Sequence, residues 1–340
     1  MFLLRQARPA DLRQLLKLAR ELDSINLPAE SSELRVLLER SERSFAGRIR
    51  QHSRAVYLFC AEAARTGTLA GASMIIGKHG TPRSPHYYLQ IDSDERYSNA
   101  LRKMFRHTYL RLRYSMDGPS ELGGLIVKRA MRHNPERAGR QLSWVRFLYI
   151  AKHRARFERE LIAEMLPPMT AGYRNAFWDH WGGLVTGLTF READRLSSRD
   201  KQFIRELFPE SPLYTFLLPE DVRKSLGVAG DQTRGAVRLL EQAGMRFLNQ
   251  IDPFDGGPYY GGVVGELKPV KNCRSYRIVR SAQSGGGVEE TFLVAREDRL
   301  GFRAVKAAAL AQQGRLAAAP EILKTLAVTE GDRVDAVPLP

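Results

Sequence analysis

The sequence lacks the features that mark secreted, membrane-embedded or metal-binding proteins. It has 2 cysteines in 340 residues, and both Cys60 and Cys273 fall in strand-like runs, so we expect buried thiols rather than a disulfide framework or a metal site. No apolar run reaches the length of about eighteen residues that a membrane-spanning helix needs. The first residues, MFLLRQARPADLRQLL, do not resemble a secretion signal. We therefore expect a cytoplasmic protein with no bound metal and no membrane contact.

The charge is strongly positive but is not concentrated. The chain has 53 Lys+Arg against 38 Asp+Glu, a formal net charge of +15, which suits a polyanionic partner. The basic residues are spread evenly, however, with no lysine-arginine block and no zinc-finger spacing, as on a solvated arginine-rich surface. Nucleic acid is therefore not the expected partner, whereas a smaller anion such as a coenzyme fits this distribution.

The common phosphate-binding motifs are also missing. No glycine is followed by Lys-Ser or Lys-Thr in a Walker pattern, and no G-x-G-x-x-G occurs. These absences exclude an ordinary P-loop or a Rossmann dinucleotide site.

The apolar pattern predicts an α+β fold built on one mixed sheet flanked by helices. Residues 11–24 predict an amphipathic helix, and the runs on both sides of RTGT predict a β-hairpin. In SELGGLIV, Gly123 and Gly124 interrupt an apolar run, which predicts a bulge or a close approach of a ligand to the backbone. A helix is expected over about 139–156, and RELIAEML is expected to form the next strand.

In the second half of the chain the sequence pattern changes near residue 265, from predicted helices and turns to short β-like runs. Helices are predicted over 198–210 and 233–247, with Gly244 as a C-cap, and the glycine-rich stretch DPFDGGPYYGG is expected to form turns. Beyond it lie short β-like runs and one helix-like run, AVKAAALAQQG. We therefore divide the chain into an N-terminal domain of residues 1–265, with a core of 1–190 and an extension of 190–265, and a small β-rich unit of 266–340.

The stretch HNPERAGRQLSWVRF brings a glycine and several arginines to the start of a helix that follows a strand. A strand, a glycine-bearing turn and a helix can aim backbone N–H groups at phosphate. The GCN5-related acyltransferases use the pattern Gln/Arg-x-x-Gly-x-Gly/Ala in this way to hold coenzyme A. Here only the central glycine of ERAGRQ fits, so the residues alone leave two alternatives, a pyrophosphate site and a basic helix start.

Several longer stretches resemble one family, the arginine N-succinyltransferases. They are GPSELGGLIV, FLYIAKHRARFERELIAEM, the segment from AFWDHWG to FLLPE, and QAGMRFLNQIDPFDGGP. The resemblance implies the GCN5-related acyltransferase fold and the transfer of a succinyl group from succinyl-CoA to the α-amine of arginine or ornithine, in arginine catabolism. It also implies a homo-oligomer, or a hetero-oligomer with a related subunit.

The resemblance assigns two positions. A leucine at the succinyl-CoA site of the family matches Leu125. The histidine proposed as the acid of the family matches Gly230, in VAGDQTRGAV. Glycine cannot transfer a proton, so either another group substitutes or this chain is a non-catalytic acyl-CoA-binding protein or partner subunit of a related transferase.

Acidic residues near the motifs are the candidates for the missing functions. Amine attack on a thioester needs a neutral amine, an oxyanion donor and a proton for the departing thiolate, and a carboxylate can also bind a guanidinium bidentately. Each of these carboxylates can equally be a surface or strand-end group paired with arginine. The candidates are Asp231 and Glu121 for catalysis, Glu164 and Asp255 for the amino acid, and Leu125, Arg137, Gly139, Arg140 and Gln141 for succinyl-CoA.

Overall fold

The computed structural model describes residues 1–22, 27–169, 175–197, 200–279 and 289–340. Within them the fold is α+β, as predicted. The strands are β1 (Phe2–Gln6), β2 (Val56–Ala63), β3 (Leu69–Ile76), β4 (His86–Ser98), β5 (Lys103–Ser115), β6 (Ser120–Val127), β7 (Glu160–Glu164), β8 (Leu213–Tyr214), β9 (Arg246–Ile251), β10 (Pro258–Val263), β11 (Arg274–Val279), β12 (Glu290–Asp298), β13 (Gly301–Gln312), β14 (Arg315–Ala318) and β15 (Arg333–Pro338). The helices are α1 (Leu12–Leu22), α2 (Ser31–Phe45), α3 (Ala138–Lys152), α4 (Ala176–His180), α5 (Gly182–Thr186), α6 (Phe190–Ser197), α7 (Gln202–Leu207), α8 (Glu220–Ser225), α9 (Arg234–Ala243), α10 (Lys268–Lys271) and α11 (Pro320–Leu326).

The strands form one continuous mixed sheet in the order β12-β15-β11-β14-β13-β1-β2-β3-β6-β7-β10-β9-β4-β5-β8. Neighbouring strands are antiparallel except for the pairs β6–β7 and β11–β14, which are parallel. The hairpin predicted around RTGT is β2–β3. The parallel pair β6–β7 holds the site, because its strands share only the registers Ser120↔Leu161 and Glu121↔Ile162 before they separate.

Helix α3 is buried on nearly every side. One side packs on β1, β2, β3 and β6, and the rest is covered by α9, α10, β12 and β15. The hydroxyl of Ser73 in β3 donates to the carbonyl of Leu142 at 2.8 Å, and the indole of Trp144 donates to the carbonyl of Pro338 at 3.2 Å. Since both ends of the chain contact α3, this helix and its N-terminus are held rigidly against the sheet.

The C-terminal unit is β-rich, as predicted, and its strands close on themselves. In addition to the sheet order, β12 pairs with β13, so β11 to β15 form a small barrel around an apolar interior. Strand β13 also pairs with β1, which joins the barrel to the N-terminal sheet. The division of the chain at residue 265 stays a prediction.

Two local predictions were wrong. The run AVKAAALAQQG is not a helix but part of β13, because hydrogen bonds to β1, β12 and β14 outweigh the helix propensity of alanine. In the glycine-rich stretch only 252–257 form the turn, since β10 begins at Pro258 and pairs with β7 and β9.

Other local features agree with the sequence or are narrower than predicted. Gly244 ends α9 in the left-handed conformation, at φ +97°. The helix predicted over 198–210 is the shorter α7, and residues 198–199 lie outside the described part. Cys60 is buried and Cys273 partly buried, both as free thiols. None of the described helices has the length and apolar character that crossing a bilayer requires.

Candidate active site

A cleft of about 1060 Å³ opens where β6 and β7 separate. Its walls are β6 from Glu121 to Val127, the end of β7, the start of α3 and the first turns of α9. Because β7 leaves β6 after Glu121, the backbone edge of β6 beyond that residue faces the cleft instead of a neighbouring strand.

The predicted irregularity at Gly123 and Gly124 is a β-bulge. The register of β6 against β3 shifts between Met74↔Gly123 and Ala72↔Ile126. Gly124 has φ +56°, and a Cβ at this position would lie 2.6 Å from Cε of Met74, so glycine suits both the conformation and the space. The bulge also reorients Leu125, which is half-buried and lines the cleft.

The N-terminus of α3 faces the same cleft, but not with the expected amides. Arg137 is in the left-handed conformation before the helix, and its carbonyl accepts from the amides of Arg140 at 3.0 Å and Gln141 at 3.3 Å. Those two amides are therefore already engaged. The amides of Ala138 and Gly139, at the first two helical positions, have no acceptor within the helix and are the available donors.

The side chains at this end are basic. Those that line the cleft are Arg132, His133, Arg137, Arg140 and Arg238. Burial and the charge of Arg137 lower the pKa of Arg140, because positive charges lie close together at this end. The side chain of Gln141 is instead buried and donates to the carbonyl of Glu136 at 2.6 Å, away from the lining residues of the described cleft.

The opposite end of the cleft is acidic. Glu121 lines it, and its Oε2 lies 2.5 Å from Nδ1 of His79. Burial opposes ionisation of Glu121, but the charge and hydrogen bond of His79 outweigh that effect, and the pKa of Glu121 is lowered. Glu121 is thus an ionised carboxylate inside the fold.

Glu164, at the end of β7, is the second acidic group that lines the cleft. The hydroxyl of Tyr259 lies 3.2 Å from Oε2 of Glu164 and 3.2 Å from Oδ2 of Asp252. Carboxylate oxygens of Glu164, Asp252 and Asp255 lie within 4.8 Å of one another. Such a cluster can accept a cation, whether a guanidinium, an ammonium or a metal, so the absence of metal stays a prediction.

The carboxylates of this cluster hinder one another's ionisation. Burial and the charges of Asp252 and Asp255 raise the pKa of Glu164 well above its usual value, and burial and Asp252 do the same for Asp255. Asp252 is less affected, because the backbone amides of Phe254 and Asp255 donate to its Oδ1 at 2.7 and 3.2 Å. Glu164 therefore binds a proton readily and still reaches the cleft.

A buried imidazole lies between the two acidic groups. The ring of His86 packs edge-on against His79 at 4.6 Å and against Tyr259 at 5.1 Å between centroids. Burial and the charge of His79 lower the pKa of His86 to about 3. His86 is therefore neutral near pH 7, so it offers the acidic groups a dipole and not a compensating positive charge.

The structure does not bring Asp231 into this group. Its side chain is 87% exposed and forms an ion pair with Arg234 at 2.7 Å on the outside of α9. Gly230, next to it, packs against the 166–168 backbone, and a Cβ there would lie 2.7 Å from the carbonyl oxygen of Pro167. A histidine cannot occupy this position without a shift of the backbone.

The sequence analysis missed several residues of the site. They include Arg146, which lines the cleft, and His79, His86, Asp252 and Tyr259 at the acidic end. Asp252 and Tyr259 flank the turn that contains Asp255, and they approach Glu164 only because Tyr259 pairs with it across β10 and β7. Arg146 gave no signal, because the sequence has 53 basic residues and this one lies within an apolar helix.

Comparison with known proteins identifies the family. Residues 2–269 match the arginine N-succinyltransferase beta subunit family, and residues 274–338 match the C-terminal domain of the same proteins. The chain belongs to this family. An acyl-CoA co-substrate is implied by membership of an acyltransferase family.

Individual relatives align over the whole length. The arginine N-succinyltransferase subunit beta of Pseudomonas aeruginosa is 31% identical over 340 residues, which is 99% of this chain and 98% of that protein. The arginine N-succinyltransferase of Escherichia coli strain 55989 is 30% identical over 100% of this chain and 98% of its own length. The solved structure of the arginine/ornithine succinyltransferase subunit AI from Pseudomonas aeruginosa superposes with a TM-score of 0.83 and 26% identity, covering 100% of this chain and 99% of that one.

Proposed function

We propose that this protein transfers a succinyl group from succinyl-CoA to the α-amine of L-arginine or L-ornithine. The observation that carries the proposal is the polarity of the cleft. One end is lined by arginines and by Gly139 at the start of α3, the other by Glu121 and Glu164, and the β6 bulge lies on the wall between them. An anionic coenzyme and a cationic amino acid can therefore enter from opposite ends.

The coenzyme occupies the basic end in this proposal. The amide of Gly139 donates to the pyrophosphate, where the positive end of the α3 dipole adds to the attraction. Arg137 and Arg140 supply charge at the same place. Acidic surroundings would repel the phosphates, so the coenzyme does not bind in the reverse direction.

The acyl group reaches the bulge of β6. The backbone amide near Leu125 donates to the thioester carbonyl and stabilises the oxyanion formed when the amine attacks. The amine nitrogen bonds to the carbonyl carbon, the carbon–sulfur bond breaks, and the coenzyme leaves as a thiolate that takes up a proton. Thiolate is a good leaving group, so the demanding proton transfer is the one from the amine.

Glu164 accepts that proton in this proposal. It lines the cleft, is linked through Tyr259 to Asp252, and has a raised pKa, which suits a base that must hold a proton during the reaction. Glu121 holds the cationic side chain of the acceptor, and Asp252 and Asp255 contribute from behind Glu164 without lining the cleft. Gly230 then needs no replacement at its own position, which favours a catalytic protein over a non-catalytic coenzyme-binding one.

Thiol release from succinyl-CoA with a panel of amino acids tests this function. We expect turnover with arginine or ornithine and little with citrulline, the neutral isostere of arginine, and mass spectrometry should place the succinyl group on the α-nitrogen. Absence of turnover with every basic amino acid would refute the proposal. The relative in Pseudomonas aeruginosa is named as a subunit, so we also propose an oligomer, and the assay is repeated after co-expression with a related chain.

The proposed co-substrate is an intracellular coenzyme, which supports the cytoplasmic location that we propose. Cell fractionation tests this location.

A further inference from the structure

We propose that Arg146 binds the terminal carboxylate of the acyl group and thereby selects a dicarboxylic acyl-CoA over an uncharged one. This inference rests on the proposed function, since it names the residue that distinguishes the acyl donor at the same site.

Arg146 is a buried cation that lines the cleft. Its side chain is on α3, and the residue is 2% exposed. Its three hydrogen bonds are long and go to neutral acceptors: the carbonyl of Ser143 at 3.4 Å, the hydroxyl of Ser143 at 3.2 Å and the carbonyl of Gly123 at 3.4 Å. A guanidinium has five N–H donors, so at least two of them have no partner among these contacts.

The other buried arginines of the described chain are paired differently. Arg5, which is 5% exposed, donates to both carboxylate oxygens of Asp11 at 2.7 and 2.8 Å and also pairs with Glu62. Arg303, also 5% exposed, donates to both oxygens of Asp298 at 3.0 Å. Arg146 forms no ion pair within 4.0 Å with any described carboxylate. The fold thus neutralises two buried guanidinium groups internally and leaves the third open to the cleft.

A buried charge without a counter-charge is unfavourable, and an entering anion removes that penalty. Burial lowers the pKa of Arg146 to about 9, so the side chain is still charged near pH 7. A carboxylate that binds it bidentately gains two charge-assisted hydrogen bonds in a site already shielded from water. An uncharged acyl group leaves the guanidinium as it is.

The position of Arg146 suits a short dicarboxylic acyl group. Arg146 donates a hydrogen bond to the carbonyl of Gly123. Gly123 lies two residues before Leu125, whose amide is proposed to bind the thioester carbonyl. The terminal carboxylate of a succinyl group is separated from that carbonyl by only two methylene groups. Both ends of the acyl group can therefore be held by the bulge region and the adjacent helix, between the phosphate end and the acidic end.

The test is a binding and kinetic comparison of succinyl-CoA with butyryl-CoA, the uncharged acyl-CoA of the same carbon-chain length, in which a methyl group replaces the terminal carboxylate. The variant is Arg146→Met, which keeps a flexible, unbranched stem but removes the guanidinium and its charge. Arg140→Met, at the phosphate end, is the matched control. Calorimetry measures coenzyme binding without an acceptor amine, so the result does not depend on whether arginine is the acceptor.

We expect Arg146→Met to weaken succinyl-CoA binding by about 100-fold or more while butyryl-CoA binding changes less than about threefold. Arg140→Met should weaken both coenzymes by the same factor. An unchanged ratio of succinyl-CoA to butyryl-CoA affinity in a folded Arg146→Met protein would overturn the inference. If the wild type binds succinyl-CoA selectively but succinylates no amino acid, the proposed function fails and the role of Arg146 stands.

Discussion

Gly230 lies so close to Pro167 that a Cβ at residue 230 would be 2.7 Å from the Pro167 carbonyl oxygen. The amide of Gly230 also donates to the carbonyl of Leu166 at 2.9 Å, which fixes the glycine against that segment. The position where the family resemblance implies a histidine is therefore shaped in this chain for a residue without a side chain. A side chain that transfers protons in the reaction must therefore come from elsewhere in the cleft.

Restoring the histidine should consequently not improve the protein. We expect Gly230→His to lower the free energy of unfolding by about 1–3 kcal/mol, because the new side chain displaces the 166–168 backbone, and to leave kcat unchanged or lower. Denaturant unfolding and thiol-release kinetics measure the two effects. A stable Gly230→His protein with a higher kcat would show that the histidine position is still functional.

Replacement of Glu164 by glutamine should remove the proposed base. We expect kcat/KM to fall by about 10²–10⁴-fold, the usual contribution of general base catalysis. In the parent protein kcat/KM should fall on acidification, starting at a higher pH than an ordinary carboxyl would give, because the pKa of Glu164 is raised. The apparent pKa of this fall in kcat/KM reflects Glu164, Asp252 and Asp255 together.

The control for that variant is Glu160→Gln, the same change at an exposed position on the same strand. It should keep the parental rate and pH profile. If Glu164→Gln keeps the fall of kcat/KM at low pH that the parent shows, another group accepts the proton.

The same residue should destabilise the fold at neutral pH. A carboxyl whose pKa is raised by folding holds its proton more tightly in the folded state, so stability falls as the pH rises from its unfolded pKa, near 4.5, through its folded pKa. We therefore expect Glu164→Gln to have a higher Tm than the parent at pH 8 and the same Tm at pH 4. Thermal unfolding at a series of pH values tests this, and a Tm difference that grows toward low pH would contradict it.

Asp231 should be dispensable. Its side chain is exposed and pairs only with Arg234 on the surface of α9, and exposed ion pairs contribute little to stability. We expect Asp231→Ala to keep kcat/KM within about twofold, since the residue lies outside the cleft, whereas general catalytic groups cost far more when removed. A loss of about 100-fold in the thiol-release assay would show that Asp231 takes part in catalysis.

The two cleft ends were predictable to different degrees. Strand β6, the turn and α3 follow from local apolar periodicity and from two adjacent glycines, so the elements of the basic end could be predicted. The identity of the free amides could not, because it depends on the left-handed conformation of Arg137, which no residue pattern required. The exposure of Asp231 likewise depends on the direction of one turn before α9.

The acidic end depends on contacts between distant segments. Glu164 and Tyr259 are 95 residues apart in the chain and meet only because β7 and β10 pair. Most of β13 was mistaken for a helix because its run of alanines has a high helix propensity. In the structure this run pairs with the adjacent strands β12 and β14 and with the distant β1. Long-range β pairing overrides local propensity and leaves no trace within a single segment.

The bulge at Gly124 gives a last prediction. Alanine there requires a left-handed conformation that costs about 1–2 kcal/mol, and its Cβ would lie 2.6 Å from Cε of Met74. We expect Gly124→Ala to lower the free energy of unfolding by about that amount. It should also lower kcat with little change in KM, because the displaced bulge moves the amide that is proposed to stabilise the oxyanion. Because Met74 is buried, Met74→Ala is itself destabilising. In a Met74→Ala protein, however, the further change Gly124→Ala should cost less than in the parent, since only the backbone strain remains.

Gly235→Ala is the control for Gly124→Ala, since Gly235 also lines the cleft but lies in α9 with no atom within 4 Å of the added Cβ. This change should stabilise the helix by up to about 1 kcal/mol. If Gly124→Ala behaves like Gly235→Ala in both unfolding and kinetics, the bulge does not position the oxyanion donor, and the acyl group must be bound elsewhere along β6.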